Sequence, residues 1–129
     1  MLTLIQAENI CNKALLKAEE LTIPVSIVIL DFGGRVILSK RMDNASYLTL
    51  EVAQNKATIS ANFKTPTHVL AEIAKKVPDI KESMNIIPGQ AILLPGGFPI
   101  MQDGICIGAI GVAGGDFDTD KAIAEAGVA

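Results

Sequence analysis

The sequence predicts a single α+β domain over residues 1–129, with a five-stranded antiparallel sheet and helices packed on it. Hydrophobic residues make up 50% of the 129 residues and charged residues 19%, which is typical of a packed globular domain. The periodicity along the chain predicts the order helix, two strands, two helices, three strands, helix. Short glycine-containing turns join neighbouring strands, which favours antiparallel hairpins over parallel βαβ units.

A helix and a β-hairpin are predicted at the start of the chain. Thr3 and Gln6 match a capping box, and apolar residues at helical spacing continue the helix over Leu4–Leu21. A β-branched apolar run, the turn residues Asp31–Gly34 and a return strand then predict a hairpin over Val25–Met42.

Two helices and a loop are predicted in the middle of the chain. Asp43 or Asn44 is a candidate N-cap for a helix over Ala45–Asn62, whose inner face consists of small residues and suits close packing on a sheet. A second, shorter helix ends at Lys76. The next segment, Val77–Gly89, contains two prolines and is predicted to be a surface loop.

The last third of the chain predicts three strands and a helix. The strands are expected at Ala91–Leu94, Phe98–Met101 and Ile105–Val112, and the last two form a hairpin. Asp116 is a candidate N-cap for a final helix through about Ala126, with Gly127 as the residue that stops it. Glycines occur before, inside and after the last strand, where they allow another backbone or a flat ligand to approach closely. This glycine pattern is the main clue to function in the sequence.

The composition argues against several classes of function. A net charge of -3, from 11 basic and 14 acidic side chains, argues against a nucleic-acid-binding protein. The two cysteines have no metal-ligand spacing, which argues against a disulfide framework and a zinc site. No apolar run reaches the ~20 residues of a membrane span, and no secretory signal is recognisable. We therefore expect a cytoplasmic protein that binds neither nucleic acids nor membranes.

Two motifs near the end of the chain resemble known binding loops without matching them. Gly108 and Gly111 belong to a glycine-rich run before a helix, but the dinucleotide-binding fingerprint is not met. We interpret both glycines as positions that relieve crowding under a packed helix. The following aspartates lack the glycine and the glutamate of a calcium loop, so helix capping explains them better. These aspartates are Asp116, Asp118 and Asp120.

A candidate ligand site combines polar side chains with a glycine loop between two prolines. Arg41, Lys56 and the backbone N–H groups of that loop are suited to hold a small anion or a propionate. The alternative is a surface pair between Arg41 and Asp43, with a Lys56 that reaches solvent along an apolar surface. The seven candidate ligand-binding residues are Arg41, Asp43, Asn55, Lys56, Gly96, Gly97 and Phe98.

His68 is the only histidine of the chain and a candidate metal ligand. It lies in the first turn of the predicted short helix, after Pro66. A solvated histidine at a helix end, an axial ligand to haem iron or another metal, and a catalytic base are the three interpretations.

Several stretches together resemble one protein family over nearly the whole chain. The most specific stretch runs from Pro95-Gly96-Gly97-Phe98-Pro99 through Gly108–Val112 to Gly114-Gly115, and Arg41-Met42-Asp43 and Asn55-Lys56-Ala57 add to it. The chain resembles the GlcG/HbpS-like family, which includes the haem-binding protein HbpS, the glycolate-utilisation accessory protein GlcG and the C-terminal domain of PduO.

The resemblance implies a profilin-like fold, a homo-oligomer that is often an octamer, and haem as a candidate cofactor. Some relatives use a histidine on the first helix as a haem ligand. This chain has no histidine over Thr3–Leu21. His68, or an oxygen of a threonine or serine, would have to replace that ligand.

Three functions remain open at the level of sequence. The first is a non-enzymatic protein that binds a small ligand such as haem, or an accessory protein of glycolate, propanediol or glycerol utilisation. The second is a small-metabolite enzyme in which Lys56 and Asp43 act as acid–base groups, because burial can lower the pKa of a lysine. The third is a structural oligomer that modulates a partner enzyme.

Overall fold

The computed structural model describes residues 1–84 and 91–129. These residues form five helices and four strands. The helices are α1 (Leu4–Leu21), α2 (Leu48–Phe63), α3 (Thr67–Lys76), α4 (Pro78–Met84) and α5 (Phe117–Val128), and the strands are β1 (Ser26–Asp31), β2 (Val36–Arg41), β3 (Gly97–Gln102) and β4 (Ile105–Ala113).

The sheet has four antiparallel strands in the order β2-β1-β4-β3. Both predicted hairpins are confirmed, whereas the predicted fifth strand over Ala91–Leu94 is wrong. The backbone N–H of Ile92 donates to Oδ1 of Asn55 on α2 at 2.8 Å, so a side chain rather than a neighbouring strand accepts this hydrogen bond. An apolar run alone does not distinguish a strand from a segment that packs on a helix.

The sheet is covered by helices on both faces. Because successive strand side chains point to opposite faces, Ile27, Ile29 and Ile110 pack with α1 and α5, while Val28 and Ala109 pack with α2. The core below α2 is built largely from alanines, which lets the helix lie close to the strands. The small inner face predicted for α2 is therefore confirmed.

The first and last helices begin where the sequence predicts. Thr3 Oγ1 accepts from the backbone N–H of Gln6 at 3.1 Å, and Gln6 Oε1 accepts from the backbone N–H of Thr3 at 2.8 Å. Asp116 Oδ1 accepts from the backbone N–H of Thr119 at 2.8 Å and caps α5. Gly127 does not end α5: it is buried inside the helix, where it packs against Ile10 and Ile110.

Two other boundaries differ from the prediction. α2 begins at Leu48 without a side-chain cap, because Asn44 adopts a φ of 72° and the chain turns before the helix. Part of the predicted loop over Val77–Gly89 forms α4, in which Pro78 occupies the first helical position that suits a missing N–H. The remainder of that loop prediction, from residue 85, lies outside the described residues.

Candidate functional site

Lys56 lies on the inner face of α2 and is the central polar group of the interior. Its side chain is 3% exposed, and its Nζ donates to the carbonyl oxygen of Val112 at 2.9 Å and to Oδ2 of Asp120 at 3.1 Å. Asp120 Oδ1 in turn accepts from the backbone N–H of Gly115 at 2.8 Å. Since α2 and α5 cover opposite faces of the sheet, this ion pair connects the two helix layers.

Burial governs the chemistry of this pair. Desolvation lowers the pKa of Lys56 from its usual value of 10.5, while the attraction and hydrogen bond of Asp120 oppose that shift. A buried charge that loses its partner is strongly destabilising, because water no longer solvates it. The contacts of the ammonium group are therefore those of a structural ion pair that also binds a backbone carbonyl.

The loop of Gly96 and Gly97 packs directly against this region. A Cβ at Gly97 would lie 2.7 Å from Cγ2 of Thr67 and 2.9 Å from Oγ of Ser60, and one at Gly96 would lie 3.0 Å from Nζ of Lys56. Sequence analysis correctly predicted that Lys56 and this loop come together. Protein atoms fill the space between them, so the predicted cavity is not found among the described residues.

Backbone polar groups of the loop form hydrogen bonds with neighbouring elements of the protein. The backbone N–H of Gly97 donates to Oγ1 of Thr67 at 2.9 Å, and the carbonyl oxygen of Gly96 accepts from the backbone N–H of Val112 at 2.8 Å. Asn55, the residue before Lys56 on α2, accepts a hydrogen bond from the backbone N–H of Ile92, as described above. A direct contact of these residues with a ligand stays a prediction.

His68 lies beside the loop, at the start of α3. Its half-buried ring packs against Phe98 in a tilted arrangement, with 5.4 Å between ring centroids and 47° between planes. Its Nδ1 is enclosed and has no hydrogen-bond partner in the part of the chain that the structure describes. Desolvation lowers the pKa of His68 below 6.5, Lys121 lowers it further, and Glu125 opposes the shift. These effects favour the neutral imidazole, the form that binds metals.

Arg41 and Asp43 lie in an open groove between α1 and the end of β2, which we call the α1/β2 groove. Its volume is about 400 Å³. Nη1 of Arg41 donates to the carbonyl oxygen of Ala45 at 2.7 Å, and this hydrogen bond holds the guanidinium at the groove. The groove is lined by Leu15, Glu19, Lys40, Arg41, Met42 and Asp43.

The α1/β2 groove combines an apolar wall with charges of both signs. Leu15 and Met42 form the apolar part, and Lys40 Nζ lies 3.3 Å from Oε2 of Glu8. That pair is about half exposed and therefore weak, so an anionic ligand can compete with Glu8 for Lys40. The described residues contain no group of three or more His, Cys, Asp or Glu side chains placed to hold a metal ion.

The sequence-predicted residues thus form two groups at opposite edges of the sheet. Lys56, Gly96, Gly97, Phe98 and His68 lie together near β3, with Asn55 on the same helix as Lys56, whereas Arg41 and Asp43 lie beside β2. Because three inter-strand spacings separate β2 from β3, the two strands lie about 14 Å apart across the sheet. A small anion cannot contact both groups on one chain.

Sequence analysis missed the role of Asp120 as the partner of Lys56. Asp120 was interpreted only as part of the acidic start of α5. Its spacing from the buried residues Ile123, Ala124 and Gly127 is that of one helical face. This helical spacing was the signal in the sequence that the carboxylate of Asp120 points into the core.

No helix of the described residues is long and apolar enough to cross a membrane.

Comparison with known proteins places this arrangement in a family. The model of the HbpS-like family, described as haem degrading protein HbpS-like, matches residues 2–129. A solved structure of a PduOC:heme complex superposes with a TM-score of 0.90 at 28% identity, covering 98% of this chain and 92% of that one. A solved structure of HbpS superposes with a TM-score of 0.87 at 33% identity, covering 98% and 86%.

Curated relatives show the same similarity at the level of sequence. The corrinoid adenosyltransferase PduO of Citrobacter freundii is 29% identical over 124 residues, which cover 96% of this chain and 37% of PduO. The chain therefore spans about a third of the length of that relative. A 15.0 kDa protein encoded between dhaT and dhaS in Citrobacter freundii is 28% identical over 124 residues, covering 96% of this chain and 87% of that protein.

Proposed function

The chain belongs to the HbpS-like family, and on that premise we propose that it is a non-enzymatic protein that binds haem or a similar flat, carboxylate-bearing molecule. We propose further that it acts as an accessory protein in the utilisation of small metabolites. The observation that carries the proposal is the superposition of 98% of the chain on a PduOC:heme complex with a TM-score of 0.90.

We assign the ligand to the α1/β2 groove. Its volume of about 400 Å³ lies in the range of small-molecule sites, about 300–1,000 Å³. Lys40 and Arg41 supply donors for carboxylates, and Leu15 and Met42 supply an apolar wall for a flat ring. The interior around Lys56 supports this assignment indirectly, because its ammonium group is already bonded to Val112 and Asp120.

The residues of the groove fit the carboxylates and the apolar face of a haem better than its iron. The described lining residues include no imidazole, and the Sδ of Met42 accepts from the backbone N–H of Val25 at 3.4 Å. His68 lies at the opposite edge of the sheet. Within one chain, Lys40 and Arg41 would hold the carboxylates, and His68 would not contact the same molecule.

Parallel titrations with haemin and with iron-free protoporphyrin IX test this proposal. Both porphyrins have the carboxylates and the flat ring, so we expect them to bind with similar affinity. The Soret absorbance or the fluorescence of the porphyrin measures binding. Arg41→Glu should weaken both about tenfold, because one charge-assisted contact is replaced by repulsion. Arg35→Glu is the matched control, since it makes the same change of charge on an exposed residue before β2 that does not line the groove.

The His68→Ala variant separates this site from the alternative one. We expect it to bind haemin as the unaltered protein does. Loss of haemin binding in His68→Ala with normal binding in Arg41→Glu would move the ligand to the edge of β3. Absence of saturable binding of either porphyrin would contradict the proposed function itself.

We propose in addition that the chain forms a homo-oligomer, with the octamer as the expected form. Large apolar side chains are exposed, among them Ile5 (75%) and Leu16 (65%) on α1 and Tyr47 (79%) just before α2. Subunit contacts would remove such side chains from water. Light scattering after size-exclusion chromatography should give about eight times the chain mass of 13.6 kDa, and a monomer at all concentrations would contradict the proposal.

A further inference from the structure

A second cavity lies between α3, α4 and the extended residues before β3. Its volume is about 540 Å³, and it shares no described lining residue with the α1/β2 groove. Ala71, Ala74 and Lys75 line it from one face of α3, as their spacing of three and four residues requires. Leu93 and Leu94, from the extended residues before β3, also line it.

The chemistry of this cavity is that of an apolar floor with a cationic rim. Lys75 and Lys81 contribute ammonium groups from two different helices, and the described lining residues include no acidic side chain. Lys75 Nζ lies 3.1 Å from Oε1 of Glu72, but both side chains are more than half exposed. Such an exposed pair is weak, so an anionic head group can replace Glu72 as the partner of Lys75.

Met84 gives the cavity room to adapt to an elongated ligand. It is the only buried side chain of α4, and it lines both this cavity and a neighbouring one of about 290 Å³ on the side of Phe63. A methionine side chain is unbranched and flexible, so it can change its rotamer and make room for an alkyl chain. The two cavities therefore share one adaptable lining side chain.

We propose that this cavity binds a free amphipathic carboxylate, with its alkyl chain on the apolar floor and its head group between Lys75 and Lys81. The positive rim selects an anion, because the described lining residues include Lys75 and Lys81 and no acidic side chain. The proposal is independent of the proposed porphyrin site, because the two sites have different walls.

Calorimetric titration of the full chain with dodecanoate tests the proposal. We expect saturable binding of one dodecanoate per chain. Hexanoate should bind about a thousandfold more weakly, because six methylenes are missing from the apolar contact. Dodecyltrimethylammonium, which has the same chain and a positive head group, should not bind. Equal binding of the anionic and cationic amphiphiles would overturn the proposal.

Paired variants locate the dodecanoate site. Lys75→Glu combined with Lys81→Glu should weaken binding about tenfold. Lys76→Glu combined with Lys17→Glu changes the net charge equally at residues that do not line the cavity, and should leave the affinity within twofold. Equal losses in the two double variants would mean that overall charge, rather than this cavity, controls binding, and would overturn the proposal.

Filling the cavity provides a test that does not depend on charge. Ala71→Trp should abolish dodecanoate binding, with folding checked by circular dichroism. If this variant does not fold, Leu94→Trp enlarges a lining residue outside α3 and should have the same effect. Arg41→Glu should leave dodecanoate binding unchanged. Loss of dodecanoate binding in Arg41→Glu would assign both ligands to one groove and refute a separate site, whereas failure of porphyrin binding alone would leave this result intact.

Discussion

The Lys56 region and the α1/β2 groove each place a cation beside candidate site residues, yet they are opposite in character. The ammonium of Lys56 is buried and has two protein acceptors, Val112 and Asp120. Arg41 is exposed, bonds one carbonyl oxygen and borders about 400 Å³ of open space. In the sequence, Lys56 and the glycines Gly96 and Gly97 predict that α2 and the loop before β3 approach each other closely. Whether space remains between them depends on how closely the helix packs, and here α2 occupies it.

Removal of the buried ammonium should have the largest effect on stability. Lys56→Met leaves the carboxylate of Asp120 without its ion-pair partner in the core, so we expect the free energy of unfolding to fall by about 3–5 kcal/mol. Urea unfolding followed by circular dichroism measures this change. Lys56→Met combined with Asp120→Asn should recover part of the loss, because the amide keeps an acceptor for the backbone N–H of Gly115. A cost below about 1 kcal/mol for the single variant would show that the pair is not a structural element.

A side chain at Gly111 should have the second largest effect. Its Cβ would collide with the backbone carbonyl of Ala53 on α2, so Gly111→Ala should cost about 1–3 kcal/mol as the helix is pushed away. Gly33→Ala is the control: its Cβ would meet only a movable carboxylate oxygen of Asp31 at 3.3 Å. Thermal unfolding of both variants should rank them in this order. Equal stability would mean that α2 does not rest directly on β4.

The open groove should tolerate a change that the interior does not. Asp43→Ala alters an exposed side chain, and we expect its stability to stay within about 0.5 kcal/mol of the unaltered protein. Asp120→Ala leaves Lys56 as an unpaired buried charge and should be far less stable in the same urea experiment. Similar losses in the two variants would remove the distinction between the regions.

His68 should show the smallest effect, as a shift in titration. It is the only histidine, so its ring resonances can be followed by NMR without assignment of others. Because burial lowers its pKa below 6.5, the unfolded chain takes up the proton first as the pH falls. The contribution of His68 to stability is present above pH 6.5 and is lost as the pH falls toward its folded-state pKa. A measured pKa at or above 6.5 would contradict this description of its surroundings.

Local patterns predicted those elements whose stability is local. The capping box of Thr3 and Gln6 and the apolar period of α1 gave both ends of that helix correctly. The predicted strand at Ala91–Leu94 failed because its Ile92 N–H bonds a side chain of α2, a partner 37 residues away in the chain. The start of α2 was misplaced because Asn44 adopts a left-handed conformation that no capping rule indicates.

The candidate site was predicted in part for the same reason. Sequence analysis brought Lys56 to the glycine loop and His68 to the start of a helix, and both placements are confirmed. It did not separate Arg41 from Lys56, because only the strand order places β2 and β3 at opposite edges. It did not identify Asp120 as the ion-pair partner, because that contact joins helices on opposite faces of the sheet.

The sequence by itself determined the α+β class, both hairpins and the family of this protein, since these depend on periodicity, turns and motifs along the chain. The tertiary structure alone decided the number of strands, the burial of Lys56 and the position of open space. Hydrogen-bond partners and free volume depend on atoms that are distant in sequence. Because a glycine has no side chain, either a ligand or a helix can occupy the space beside it, and the packing of the whole chain decides which. In this protein α2 packs against Gly97 and Gly111, and the open groove lies beside Arg41.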